Sequence, residues 1–111
     1  MQPSDLRIGF CTVPERESAE RIAQALVEEH LAACVNIVPN LLSVYRWEGK
    51  VERSEEILLI IKTSAKVPIS RIRDRLLTLH PYDVPELLLV PVADGLEKYL
   101  AWMEASVEPA P

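Results

Sequence analysis

Glycine is scarce in this chain, and the three that occur, Gly9, Gly49 and Gly95, lie far apart. That spacing excludes a glycine-rich phosphate loop. Cysteine is rarer still. Cys11 and Cys34 are too few for a disulfide framework, and both read first as small buried hydrophobes. No apolar run approaches the ~18–20 residues of a membrane span. Positive charge is in deficit: 12 basic residues face 17 acidic ones, for a net charge of −5. That balance argues against a nucleic-acid partner, because phosphate binding rests on clustered Lys and Arg. Arg71, Arg73 and Arg75 are expected on the wet face of a helix. The opening Met1-Gln2-Pro3-Ser4-Asp5 lacks the basic and apolar regions of a secretory signal, which sets a cytoplasmic expectation.

What remains is an ordinary globular composition. With 111 residues the chain reads as a single domain, 1–111, with one core and frayed tails at 1–4 and 108–111. Leu6 to Val13 reads as a strand, with Leu6, Ile8 and Phe10 on one face. Pro14 marks the switch to a helix, in a first-turn position. Its apolar stripe is Ala19, Ile22, Ala23, Leu26 and Val27. Ala33 to Trp47 is extended, with a bulge or edge at Pro39-Asn40. Trp47-Glu48-Gly49-Lys50 is a hairpin turn, and Val51 to Thr63 returns as a third strand. Pro68 opens a second helix with Ile69, Ile72, Leu76 and Leu79 inward, and Pro81 stops it. Glu86 to Val92 is a fourth strand. Asp94 is expected to cap a last helix carrying Leu96, Tyr99, Leu100 and Met103 inward. The order β-α-β-β-α-β plus a helix is the ferredoxin-like α+β arrangement.

Right-handed crossovers in this order predict an antiparallel sheet, strands arranged 4-1-3-2, with both main helices on one face. A sheet with one wet face alternates apolar and polar residues. Ile57-Leu58-Leu59-Ile60-Ile61 and Leu87-Leu88-Leu89-Val90 do not alternate, so both faces ask for cover. Identical copies are the expected cover. The competing reading is that the final helix folds under the sheet. The second strand outruns the first, so its tip near Tyr45 to Val51 overhangs and adds an unpaired edge.

Candidate chemistry is sparse. The end of the first strand lies beside the start of the fourth, which brings Cys11 and His80 to one rim, with Glu86 near it. A thiolate and an imidazole suit a soft or borderline ion such as copper or zinc. Each also has a plainer reading. His80 and His30 sit where a helix dipole favours a cation, and Cys11 lies opposite Phe10, as compatible with a subunit interface as with ligation. Tyr45 and Trp47 read as interface anchors. Lys62 is a cleft residue or a lysine snorkelling to water. A Cys11–His80 nucleophile–base pair is conceivable, but no oxyanion hole or third orienting group accompanies it, so a non-enzyme is expected.

Several segments together resemble the CutA family of divalent-cation tolerance proteins. They are Leu31 to Pro39, Ser43-Val44-Tyr45-Arg46-Trp47-Glu48-Gly49-Lys50, Ile60-Ile61-Lys62-Thr63, Cys11-Thr12-Val13-Pro14, His80-Pro81-Tyr82-Asp83-Val84-Pro85-Glu86 and Tyr99-Leu100-Ala101-Trp102. The resemblance spans nearly the whole chain, in family order and spacing. It implies a ferredoxin-like subunit in a homotrimer, sheets inward and hairpins swapping edges. It also implies a cytoplasmic protein linked to tolerance of copper and other divalent cations. No organic cofactor, nucleic acid or membrane is implied. Copper ligands carry over to Cys11 and His80; some members have a second histidine where this chain has Leu79. A subunit cleft carries over to Tyr45, Trp47, Lys62, Glu86 and Trp102. The alternative implied by architecture is a trimeric signalling or scaffold module resembling PII regulators, which binds a small ligand or a protein partner at its clefts.

Overall fold

A computed structural model describes residues 1–109. After a 3-10 turn at Pro3–Asp5 come β1 (Leu6–Val13), α1 (Arg16–Glu28), β2 (Cys34–Trp47), β3 (Lys50–Ser64), α2 (Ile69–Leu79), β4 (Leu88–Pro91) and α3 (Glu97–Ala105). The strands form one antiparallel sheet in the order β2-β3-β1-β4, the expected topology.

Pleating sorts the residues of the sheet between its two faces. Gly9, Cys11 and Val13 of β1 and Leu59, Ile61 and Thr63 of β3 are buried on the face that α1 and α2 cover. Ala19, Ile22 and Leu26 of α1 and Ile72 and Leu76 of α2 complete that core. Thr63 is a polar member, and its hydroxyl is satisfied by the Leu31 carbonyl at 2.7 Å.

The opposite face has no helix over its centre. Ile8, Phe10, Leu58 and Ile60 are half-buried there, while Leu88 and Val90 are exposed. α3 reaches only one end of this face, where Tyr99 meets Lys62 and Glu104 Oε2 accepts from Ser64 Oγ at 2.8 Å. Cys11 therefore belongs to the helix-covered face, not to the open face. The alternative that placed it at a subunit interface gives way, because register pairs it with buried Leu59.

Several local expectations shift. Val27, Ile69, Leu96 and Tyr99 are exposed, and Ser18 takes a core place on α1. Pro14 lies outside α1, whose N-cap is Glu15. Asp94 does not cap α3: Leu96 does, and the Asp94 carboxylate accepts the Gly95 N–H at 2.8 Å. β4 begins at Leu88 rather than Glu86, because the segment before it is drawn towards β1 and β3 by bonds described below. Cys34 is half-buried rather than core. Near the carboxyl end Glu108 is not frayed. Its N–H donates to the His30 carbonyl at 3.0 Å, and its carbonyl accepts from Arg71 Nη1 at 3.1 Å. Of the carboxyl tail, Ala110 and Pro111 fall outside the described residues.

β2 and β3 run on together past β1. Register is broken once, between Val38 and Leu41, where Asn40 adopts a φ of 65°. At the tip Glu48 and Gly49 have φ of 50° and 79°, the two left-handed positions of a type I′ turn. Glutamate pays the steric cost of that conformation. Glu48→Asn is expected to raise the urea midpoint at fixed protein concentration, by about 0.5–1 kcal/mol of stability, since asparagine tolerates left-handed backbone.

Candidate functional site

β1 pairs with β3 on one side and β4 on the other, so the Thr12 end of β1 lies beside the segment that leaves α2 and enters β4. α2 ends when the His80 N–H bonds the Leu76 carbonyl at 2.8 Å and the backbone then turns extended before Pro81. The His80 ring thereby swings onto β1. Its Nε2 lies 2.8 Å from the Thr12 carbonyl oxygen, and its Nδ1 accepts the Tyr82 N–H at 3.0 Å. A nitrogen that accepts from a backbone donor carries no proton, so these partners assign the proton to Nε2. The ring is buried.

Cys11 Sγ contacts the same carbonyl oxygen at 3.7 Å. Thiol and imidazole thus converge on Thr12 O, as the strand order predicted. Burial pushes the Cys11 thiol up to about 12, and the carboxylates of Glu86 and Glu56 add to the effect. Both carboxylates oppose formation of a thiolate there.

Tyr82 extends the network. Its ring lies 4.9 Å from the His80 ring, tilted by 43°, and its hydroxyl donates to Glu56 Oε2 at 2.8 Å. Glu56 is 8% exposed, so this bond answers a buried carboxylate. Burial, then Glu56, push the Tyr82 hydroxyl up to about 12. Beneath the overhanging hairpin lies an open cleft of about 820 Å³, whose lining includes Thr12, Tyr45, Trp47, Glu56, Tyr82 and Glu86. Tyr45 is fixed across the hairpin by a 2.8 Å bond between its hydroxyl and Ser54 Oγ.

The five residues expected in a shared cleft fall into two groups within one chain. Tyr45, Trp47 and Glu86 line the hairpin cleft, whereas Lys62 and Trp102 do not. Lys62 Nζ donates to Tyr99 Oη at 3.0 Å and sits 5.4 Å from that ring's centre. Trp102 packs on Tyr99 with centroids 5.3 Å apart. The Tyr99 hydroxyl raises the Lys62 ammonium above the ordinary lysine value, with burial opposing it.

The donors at the rim fit a soft or borderline metal in type. Their protonation does not favour it as it stands: the thiol holds its proton, and both imidazole nitrogens are engaged. Among the described residues, no three His, Cys, Asp or Glu side chains group to hold a metal ion. Three partners escaped sequence reading. Glu56, a charge abutting the longest apolar run, was the one legible signal. Tyr82 and Tyr99 lay within recognised segments but carried no sign of what they would bond.

These features define a ferredoxin-like α+β domain with a long overhanging hairpin and a buried Cys–His rim. The family described as CutA1 divalent ion tolerance protein matches residues 8–106, and the chain belongs to it. The "Divalent-cation tolerance protein CutA" of Thermus thermophilus is 51% identical over 96 residues, which cover 86% of this chain and 92% of that protein. Human "Protein CutA" is 39% identical over 96% of this chain, which spans only 59% of the human protein's length. Among solved structures, the Thermus thermophilus tolerance protein superposes with a TM-score of 0.89 at 46% identity, covering 93% of this chain and 99% of that one. The "periplasmic divalent cation tolerance protein CutA" of Archaeoglobus fulgidus gives 0.87 at 39% identity, covering 93% and 99%. The family's name describes tolerance of ions and no catalysed reaction.

The raised thiol and phenol make stability depend on pH. Each group titrates higher in the fold than its ordinary value, 9.0 for Cys11 and 10.0 for Tyr82, so the fold favours the protonated forms. Their contribution is complete below about pH 9 and is lost as pH rises towards about 12. Urea unfolding followed over that window is expected to show falling midpoints. In Cys11→Ala, less stable throughout because of the cavity, the part of the slope that begins near pH 9 is absent.

Proposed function

We propose that this protein acts as a cytoplasmic homotrimer in the response to divalent cations, binding copper or a similar ion weakly through Cys11 and His80. No organic cofactor, nucleic acid, membrane or catalytic step enters this reading. The observation that carries it is the convergence of a thiol and an imidazole on one carbonyl oxygen. The names of the relatives, which speak of tolerance of divalent cations, support the class of ligand. The two free cysteines favour a reducing compartment; the Archaeoglobus fulgidus name favours the other, and cell fractionation decides between them.

Assembly is supported by the open sheet face. Phe10, Leu58, Ile60 and Leu88 form an apolar surface that the helices of one chain leave uncovered. Buried apolar area is the main favourable term in association, and a central apolar face is where it concentrates. The hairpin cleft also gains its missing members, Lys62 and Trp102, if a neighbouring copy brings them to Tyr45, Trp47 and Glu86. That arrangement favours a second reading, a PII-like module taking a small ligand or protein partner at such clefts. Thermal-shift screening of metals against nucleotides and metabolites separates the two.

Copper titration calorimetry tests the first reading. The wild type is expected to bind weakly, tightening about tenfold per unit rise in pH near neutrality, because one thiol proton is released. The Cys11→Ser/His80→Ala variant loses that binding; indistinguishable isotherms refute the site. Sedimentation equilibrium tests assembly. The expected mass is three times the 12.5 kDa of one chain, and Leu58→Glu/Ile60→Glu shifts it to the single chain. A wild-type species of 12.5 kDa at low micromolar concentration overturns the trimer.

A further inference from the structure

We infer that the cleft beneath the hairpin takes an alkylated ammonium ion, seated against the rings of Tyr45 and Trp47 with its charge answered by Asp83 and Glu86. The inference rests on the reading of this cleft as a small-molecule site and adds the chemical class of what it holds.

The lining decides the sign of the ligand. Glu56, Asp83 and Glu86 bring three carboxyl groups to the cleft, and no lysine, arginine or histidine lines it among the described residues. A phosphate or carboxylate ligand would enter against that charge, with no cationic side chain to hold it. Lys62 from a neighbouring copy would offset one carboxylate, and the surplus would stay negative. Glu56 is already engaged by the Tyr82 hydroxyl at 2.8 Å. Asp83 and Glu86 are exposed and enter no ion pair among the described residues, so their charge is free to meet a ligand.

Size and wall chemistry decide the kind of cation. At about 820 Å³ the cleft has the dimensions of a site for an organic molecule. Among the described residues, no three acidic side chains group there to hold a metal ion. What the walls offer instead is aromatic surface. Trp47 is 54% exposed and Tyr45 41%. Neither ring stacks on another or lies under a lysine among the described residues. Tyr45 is held in place by the 2.8 Å bond between its hydroxyl and Ser54 Oγ. The face of such a ring attracts a cation. An alkylated ammonium suits it because its carbon groups pack on the ring, whereas a bare ammonium is compact and strongly hydrated.

Choline is the probe, with its neutral isostere, in which carbon replaces the nitrogen, as the uncharged control and ATP as the anion. In the full chain at constant ionic strength, the Trp47 indole N–H resonance is expected to shift saturably with choline. The isostere binds about tenfold more weakly or worse, and ATP does not compete. By calorimetry Glu86→Gln and Asp83→Asn each weaken choline by about threefold, and Trp47→Leu by about fivefold or more. Glu97→Gln, which removes the same charge outside the cleft, leaves binding unchanged. Should Trp47→Leu alter the sedimenting mass, the two carboxamide variants carry the test. Equal binding of choline and its isostere, or no saturable shift, overturns the inference. So does choline binding to Lys62→Ala alone, which makes a neighbouring copy's lysine the cation of this cleft. ATP moving the Trp47 resonance overturns it while leaving the small-molecule reading intact. If neither choline, ATP nor any compound of the metabolite screen binds, that reading falls as well.

Discussion

Everything in this molecule follows from a four-stranded sheet that is apolar on both sides while its own helices cover one. α1 and α2 bury Cys11, Val13, Leu59 and Ile61 and so make a single-chain core. α3 reaches the second face only at the Lys62–Ser64 end. The remainder, with Phe10, Leu58 and Ile60 at its centre, is the kind of surface that stays wet in few stable proteins. The long hairpin follows the same logic, carrying Tyr45, Trp47 and Val51 beyond any support from β1.

The rim chemistry depends on that sheet as well. Because the helices cover the Cys11 face, the thiol is desolvated and surrounded by the influence of Glu56 and Glu86, which holds its proton in place. The imidazole is set down on the same strand by the end of α2 and secured by Tyr82. The thiol and the imidazole are therefore assembled in a protonated, internally bonded state.

Much of this was legible in the residues. The unbroken runs 57–61 and 87–90 told of a sheet wanting cover on both faces, since side chains alternate along a strand whatever the context. The β-α-β-β-α-β order, with the handedness rule for crossovers, was enough to put the end of β1 beside the start of β4, and so Cys11 near His80. Less visible was which face of β1 the helices choose. Register slips of one residue exchange the faces, and both faces of this strand are apolar enough to serve. Ser18 in the core and Val27, Ile69 and Leu96 in solvent arise from the same source: helix stripes were read by period, but packing angles decided who reached the sheet.

By itself, then, the sequence determined the elements, their order, the strand topology, the hairpin turn at Glu48-Gly49 and the family. These rest on local pattern and on general rules of chain handedness. Only the tertiary structure decided that Cys11 lies beneath the helices, that Glu56 meets Tyr82 across 26 residues of sequence, and that both nitrogens of His80 are already engaged. Such facts depend on where a carbonyl oxygen or a backbone N–H points after folding, and every residue carries those groups alike.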